Sequence, residues 1–583
     1  MPSAPKTSLR GSRRGGQLPW GASGRPNLYG GPRNSRSYGR FAVLGGIAVV
    51  FLLFVWFIVT RVGAGSDCID YYCPADRSIE PPEGFELVSR IFAYNEDKGA
   101  VDGQTNLAIA VELTKTADSG SSLSFYRYVD ETQNWEPITP AVLEPQGKVV
   151  SGTFSSAPSI MAVMRRNSPG GTVVAYVPHN APLHRDAAGH ISFVHPVDFK
   201  PAADGSVTGD LSSIKSDGTF EVFPVISANS SVRGDVAIVE NLLADGSSRA
   251  NHVEQIIKKL ADTNVNGVDI AYLDLPLTAR TSFTQFIGEL YQRLHAQNKQ
   301  LTLLLPSPIK AQNRIDEGAY DWAALGQTAD LIKIAPYRDQ ATYRLTMPEV
   351  LSYLTGKVPP SKLVLTVSPY ATETGGESIS VMSIAQAMSI ASRLTVRAEA
   401  DEITTSTVVE VAGTNIDKDE ALTGIRWSPE TATVAFSYKQ PQGAGSRTIY
   451  LENFYSIGFK LELISAHKLG GVAIEDASNN EFLGNIWTAL VPYITSGQPI
   501  LLQPNPQDLL PKWKVTDARG DPQGSIEDTT RGSVKWSTPA VAGAYTISLT
   551  LSDGVSLFQN SIEISVKAKP APNTPVPTST PAR

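Results

Sequence analysis

Three carboxylates stand where an apolar run gives way to a polar turn: Asp274 after VDIAYL, Asp339 after IKIAPYR, and Glu475, followed by Asp476, after GGVAI. Two of them could form a general acid/base pair, one protonated and one ionised. Carboxylates at loop ends are more often simply solvated, and that reading is favoured for all three. Tyr176, Tyr337 and Tyr370 close other apolar runs, and Trp427 lies in a β-rich stretch further on. Aromatic planes of this kind stack on the apolar faces of sugar rings while polar neighbours take the hydroxyls. Each ring taken alone reads as packing; gathered around one mouth, the four read as a binding platform. In VDIAYL, Asp269, Ala271 and Leu273 share one face of a strand and point inward, whereas 272 and 274 point away. Asp269 then reads as a buried, hydrogen-bonded carboxylate or as part of the binding site. Only a bulge at the strand end would turn Asp274 inward.

Other chemistries find little support. His179, His184, His190 and His195 fall close together in sequence, but their spacing matches no metal-ligand motif, and they read as surface-loop residues. No zinc site, nucleophile elbow, phosphate loop or dinucleotide fingerprint occurs, so no metal and no cofactor is expected. The only cysteines, Cys68 and Cys73, read as a disulfide closing a small loop in an oxidising compartment. A cross-link between two chains is the alternative.

The elements that position these residues are legible from periodicity. From Gly171 the runs TVVAYVP, HISFVHPVDF, TFEVFPVIS, VNGVDIAYL, QLTLLLP, DLIKIAPY, KLVLTVSPY and GGVAIED read as eight buried strands. Between several of them lie amphipathic helices: Val253, Ile256, Ile257 and Leu260 form one apolar stripe, and Phe283, Phe286, Ile287, Leu290 and Leu294 another. Eight β/α units in about this length predict a (β/α)8 TIM barrel over 171–493, with a β-rich insertion subdomain at about 395–450.

KKLADTNVNGVDIAYLDL followed by FTQFIGELYQRLHAQNKQLTLLLP, then YDWAALGQTADLIKIAPYRD and YLENFYSIGFKLELISAHKLGGVAIED, resembles in order and spacing a glycoside hydrolase family 18 domain, the chitinase and spore-cortex-lytic type. The resemblance implies a barrel acting on N-acetylhexosamine polymers by a substrate-assisted route. In that route a Glu protonates the glycosidic oxygen and an Asp two residues earlier orients the acetamido group. Carried over residue by residue, that Glu falls on Leu273 and that Asp on Ala271; the two earlier Asp positions fall on Asn266 and Asp269. The family's Met-x-Tyr-Asp strand reads Ala335-Pro336-Tyr337-Arg338, and the Trp closing its last strand falls on Glu475. Leu cannot donate a proton and Ala cannot polarise an amide, so the chain reads as a barrel that has lost this mechanism.

The 583 residues are 42% hydrophobic and 18% charged, which excludes wholesale disorder. Residues 1–40 carry eight basic and no acidic side chains, leaving 42 basic and 57 acidic residues for the rest. An acidic body argues against nucleic acid as the main partner. Phe41–Thr60 is an uncharged run of twenty residues, about 30 Å as a helix, and reads as a transmembrane helix rather than a cleaved signal. The basic arm before it predicts a cytoplasmic N-terminus and an extracellular body in the cell membrane. Residues 61–83 read as a linker, 84–166 as a β-sandwich spacer, 498–567 as a module resembling immunoglobulin and polycystic-kidney-disease domains, and 568–583 as a Pro-rich tail.

Three functions fit this layout. The first is non-catalytic binding of a wall or extracellular glycan, a polysaccharide or peptidoglycan-like polymer. The second is a glycoside hydrolase with relocated carboxylates, and the third is a structural component that binds other surface proteins. Fold alone does not choose among them.

Overall fold

The computed structural model describes residues 68–570, apart from 83–84, 96, 98–106, 116–122, 144–147, 155, 167–169, 188, 217–219, 262, 264, 313, 376–377, 399–400, 414–423, 440–444, 479–483 and 528–531. The expected transmembrane run Phe41–Thr60, the basic arm and most of the Pro-rich tail lie outside the described residues. Among the described residues no helix is long and apolar enough to cross a membrane.

Eight strands build a curled parallel sheet: β1 (Thr172–Pro178), β2 (Phe193–Val197), β3 (in two pieces, Glu221–Val222 and Val225–Ala228), β4 (Gly267–Tyr272), β5 (Gln300–Leu305), β6 (Leu331–Ile334), β7 (Leu363–Val367) and β8 (Gly471–Ile474). The first piece of β3 pairs with β2 and the second with β4, so the sheet returns to itself in a TIM-barrel-like fold. These strands are buried on both faces, which is why they read as continuous apolar runs rather than alternating ones. Outward side chains such as Ile270, Tyr272, Leu303 and Ile332 meet the helices, including Gly246–Ala261, Arg280–His295 and Tyr343–Thr355. The paired glycines opening β8 answer a close approach. A Cβ at Gly470 would lie 2.0 Å from the Ser361 carbonyl oxygen, and one at Gly471 would lie 1.9 Å from that of Thr172.

Ahead of the barrel, two antiparallel sheets enclose a core of their own. One holds Phe92–Tyr94, Ile160–Arg166, Leu123–Val129 and Asn134–Pro140; the other holds Leu107–Glu112 and Val149–Phe154. Ile109, Val111 and Phe154 from one meet Phe125, Met161 and Val163 from the other. The segment 61–83, expected to be a linker, differs from that expectation once it is described. Tyr72–Pro74 pairs with Phe92–Tyr94, Tyr72 is fully buried, and Trp135 donates its indole N–H to the Glu80 carbonyl at 2.9 Å. Cys68 and Cys73 are joined in one chain, closing the turn before this strand. The double sheet meets the barrel where strands begin: Ser124 Oγ lies 3.4 Å from Glu221 Oε1, and Asn298 Nδ2 donates to Thr153 Oγ1 at 3.1 Å.

The insertion starts sooner than its composition predicts, at Ala371 rather than about 395. Ala371–Gly375, Ser378–Met382, Arg426–Ser428, Thr433–Lys439 and Ser446–Leu451 form one antiparallel sheet. The hairpin Leu394–Ala398 and Val408–Gly413 leaves it. Val408–Ala412 pairs with Ser533–Ser537, five residues in register. The sheet so formed shares a core with Lys512–Asp517, Gly543–Ser552 and Leu557–Val566: Val409 and Val411 lie with Trp536, Ile547, Leu549 and Ile564. The C-terminal β unit is therefore assembled from two chain segments, with part of it supplied from between β7 and β8.

Candidate functional site

The barrel interior is filled in layers. Val174, Tyr176, Phe193, Phe223, Val225, Ala271, Leu304, Leu331, Val364 and Ala473 form an apolar cluster, with Leu273 half-buried against it. Set into this cluster is a polar group centred on Asp269, which is fully buried. Lys333 Nζ donates to Asp269 Oδ1 at 2.6 Å, Thr302 Oγ1 to the same oxygen at 2.8 Å, and Tyr176 Oη to Oδ2 at 2.7 Å. His195 Nδ1 lies 3.3 Å from Oδ2, its ring stacked on Phe223.

Burial works to raise the Asp269 carboxyl, but the Lys333 ammonium and then His195 outweigh it and hold the group well below the usual carboxylate range. Among the described residues, Lys333 has Asp269 as its one anionic neighbour. Burial therefore prevails over Asp269 and pulls the ammonium down to about 8. At His195 burial and the Lys333 charge act together against Asp269 and lower the ring to about 4. Burial and the neighbouring Asp269 charge push the Tyr176 phenol well above its ordinary value. At neutral pH the group is one ion pair beside a neutral imidazole.

The mouth lies at the C-terminal ends of the strands, where barrel enzymes hold their sites. Arg338, just past β6, reaches Glu475 at the end of β8 in a bidentate pair. Nη1 donates to Oε2 at 3.0 Å and Nη2 to Oε1, while Nη1 also donates to Ser368 Oγ beyond β7 at 3.2 Å. Beside this pair Lys460 donates to Glu452, which also accepts from Ser456 Oγ at 2.7 Å. Burial lowers the Lys460 ammonium against the raising effect of Glu452. Three buried acids thus face three bases.

The other residues singled out from the sequence do not converge. Asp274 takes a left-handed backbone, φ 60°, yet its side chain is exposed and turned to the loop after β3. It accepts from Ser230 N at 3.0 Å and Ser230 Oγ at 2.6 Å. Asp339 accepts from Thr342 Oγ1 at 2.8 Å at the start of helix Tyr343–Thr355. The four aromatic rings share no platform. Tyr176 is enclosed in the barrel, Tyr370 is buried with its hydroxyl on Asp476, and Tyr337 is half-buried with its hydroxyl 3.1 Å from Thr342 Oγ1. Trp427 packs on Tyr455 and Phe459 of helix Phe454–His467 instead, with ring centroids 6.3 and 5.8 Å away.

The expectation that the histidines are surface-loop residues fails for His195, which has no exposed surface. His179 does lie at the rim, its Nδ1 2.7 Å from Asp198 Oδ1 and its Nε2 2.7 Å from Asn180 Nδ2. His195 and Lys333 were missed although a signal was present. Each stands at an inward-facing position of an apolar strand, in step with Phe193 and Val197 or with Leu331 and Ala335. Among the described residues, no group of three or more His, Cys, Asp or Glu side chains is placed to hold a metal ion.

A parallel α/β barrel with its mouth at the C-terminal ends of the strands defines the class of protein. Residues 226–479 match the family model Glycosyl hydrolases family 18, and the chain carries a domain of that family. A Bacillus subtilis (strain 168) protein named as a sporulation-specific glycosylase is 25% identical over 210 residues, 34% of this chain and 47% of its own length. The chain thus spans about half of that relative. Two solved structures are similar in fold. A chitinase from Chromobacterium violaceum ATCC 12472 has 18% identity and a TM-score of 0.42, over 57% of this chain and all of its own. The spore cortex-lytic enzyme SleL of Bacillus megaterium QM B1551 has 17% identity and a TM-score of 0.43, over 58% of this chain and 79% of its own.

Proposed function

We propose that this protein binds an N-acetylhexosamine polymer of a cell wall or extracellular matrix at the mouth of its barrel without hydrolysing it. One observation carries the reading. In a family 18 domain, the inward positions of the acid and the orienting Asp are Leu273 and Ala271, and every carboxylate singled out near the mouth is already engaged. Asp269 is paired with Lys333, Glu475 with Arg338, Asp274 with Ser230 and Asp339 with Thr342. Binding asks less than catalysis, and the half-buried Tyr337, Arg338 and Asp339 leave polar groups at the rim.

A positioned general acid is typically worth about 10²–10⁴ in rate. The full chain incubated with chitin and with peptidoglycan is therefore expected to be retained on at least one of them while releasing no reducing ends above the blank. A second reading, hydrolysis by relocated carboxylates, has in its favour the exposed Asp274 just past β4. Cleavage that survives Leu273→Ala and disappears with Asp274→Asn would establish it and overturn ours. Absence of retention on both polymers would remove the binding role.

The reading includes a membrane anchor at Phe41–Thr60, supported by the uncharged run and its basic flank. Cys73 registers with Ala93 and Phe92 with Met161, near the start of Ile160–Arg166, the strand that leads into β1. Cys68 and Cys73 thus lie about 20 Å of strand away from the barrel, and the mouth opens on the barrel's far side. Protease added to intact cells should remove the body and leave a membrane-held stub; a mature N-terminus at Gly65 would show a cleaved signal instead.

A further inference from the structure

Arg338 and Glu475 stand at two positions where this chain departs from its family, an Asp and a Trp exchanged for a base and an acid. Read separately, each is a loss. In the structure they are partners across 137 residues of sequence, and the guanidinium bridges the ends of β6, β7 and β8 through Glu475 and Ser368. The two members are not equally accessible: the Arg338 side chain is 27% exposed and that of Glu475 7%. A ligand reaching the mouth meets the cation, while the anion beneath it compensates that charge. Glu475 and Ser368 take three of the five guanidinium N–H donors among the described residues, leaving two that a carbonyl or hydroxyl oxygen could accept from.

Resting on the glycan-binding reading above, we propose that the Arg338–Glu475 pair is the specificity-determining element of the mouth. It selects glycans whose contacting groups are neutral, such as acetamido carbonyls and hydroxyls, over glycans bearing carboxylates. A free Arg at this place would attract acidic polymers. Glu475 cancels that attraction while holding the fork in a fixed orientation, and an acidic ligand group gains nothing from a cation that is already compensated. The neighbouring Glu452–Lys460 pair is also balanced, and Asp476, buried beside Glu475 with the Tyr370 hydroxyl on it, adds negative charge, so neither restores a positive field.

The test uses the full chain in detergent with two oligosaccharides of equal length. One is a neutral N-acetylglucosamine hexamer; the other alternates N-acetylglucosamine with N-acetylmuramic acid and carries a carboxylate on every second ring. Wild type should favour the neutral one. Glu475→Gln, which leaves the guanidinium uncompensated, should move the acidic-to-neutral affinity ratio up about tenfold, and added salt should reverse the gain. Arg338→Gln, which leaves the carboxylate alone, should move it down by a similar factor. The two variants shift in opposite directions, so either one that keeps its thermal transition suffices. A folded variant with the wild-type ratio overturns the proposal and leaves the glycan-binding reading standing. If wild type binds neither sugar and Glu475→Gln gains the acidic one, the charge assignment holds and the glycan-binding reading falls. If nothing binds in any variant, both fall.

Discussion

Lys333→Met is expected to lower the stability of the barrel by about 3–5 kcal/mol, the usual consequence of breaking a buried ion pair from one side. Methionine matches the lysine stem in length, so the cavity contribution is small. What is lost is the Lys333 cation, among the described residues the only one on Asp269, 2.6 Å from Oδ1, in a site with no exposed surface on either partner. Tyr176 and Thr302 would still donate to the carboxylate. They bring no charge, and a carboxylate confined among Phe193, Phe223 and Val225 is left uncompensated. Removing both charges, as Lys333→Met with Asp269→Asn, should recover much of the loss, since the pair's own net worth is small. The measurement is urea unfolding followed by near-UV circular dichroism at pH 7. A single-variant loss under about 1 kcal/mol would show that water reaches this part of the barrel and that the pair is not confined.

The same residues show what the sequence could and could not tell. The eight barrel strands were legible because a strand covered on both faces writes a continuous apolar run. Alternation within VDIAYL placed Asp269, Ala271 and Leu273 on the interior face, which the apolar cluster around Ala271 and Leu273 matches. Lys333 and His195 occupy inward positions by the same alternation, yet the sequence reading took His195 for a surface residue and passed over Lys333, because a polar residue in an apolar run becomes interpretable only once its partner is known. That partner comes from another strand: Asp269 is 64 residues from Lys333. Arg338 and Glu475 were each read as a departure from a pattern, and no local rule connects them; barrel closure does. The hairpin Leu394–Gly413 gave a clear strand pattern, yet its sheet partner Ser533–Ser537 lies beyond β8, so it was read with the insertion alone. Composition misled in 74–82, where Pro, Asp and Glu suggested a linker while Ile79 is buried and Arg77 pairs with Asp130. The aromatic platform failed for a related reason. Strand ends locate a ring near the mouth but do not say whether another side chain, such as Asp476 at Tyr370, already covers it.

Acidification from pH 7 to pH 4 is expected to cost the barrel about 3 kcal/mol through His195 alone. The ring is fully buried between Tyr176 and Phe223, and burial with the Lys333 charge lowers it from an ordinary 6.5 to about 4. Between those values the unfolded chain binds a proton that the folded barrel refuses, so stability falls as pH falls. The contribution is complete above pH 6.5, is lost progressively down to about pH 4, and changes little below. The span of about 2.5 pH units at 1.36 kcal/mol each sets the size. Carboxylates elsewhere also titrate toward the lower end of this range, so the informative quantity is a difference. His195→Leu fills similar space, removes the titration and should flatten the wild-type slope between pH 6.5 and 4.5 while costing little at pH 7, where the imidazole is neutral and makes no short hydrogen bond. Urea unfolding of both proteins across that range reads it directly. Parallel curves would mean that the folded barrel accepts the proton, with Asp269 serving as counter-ion to His195 as well as to Lys333.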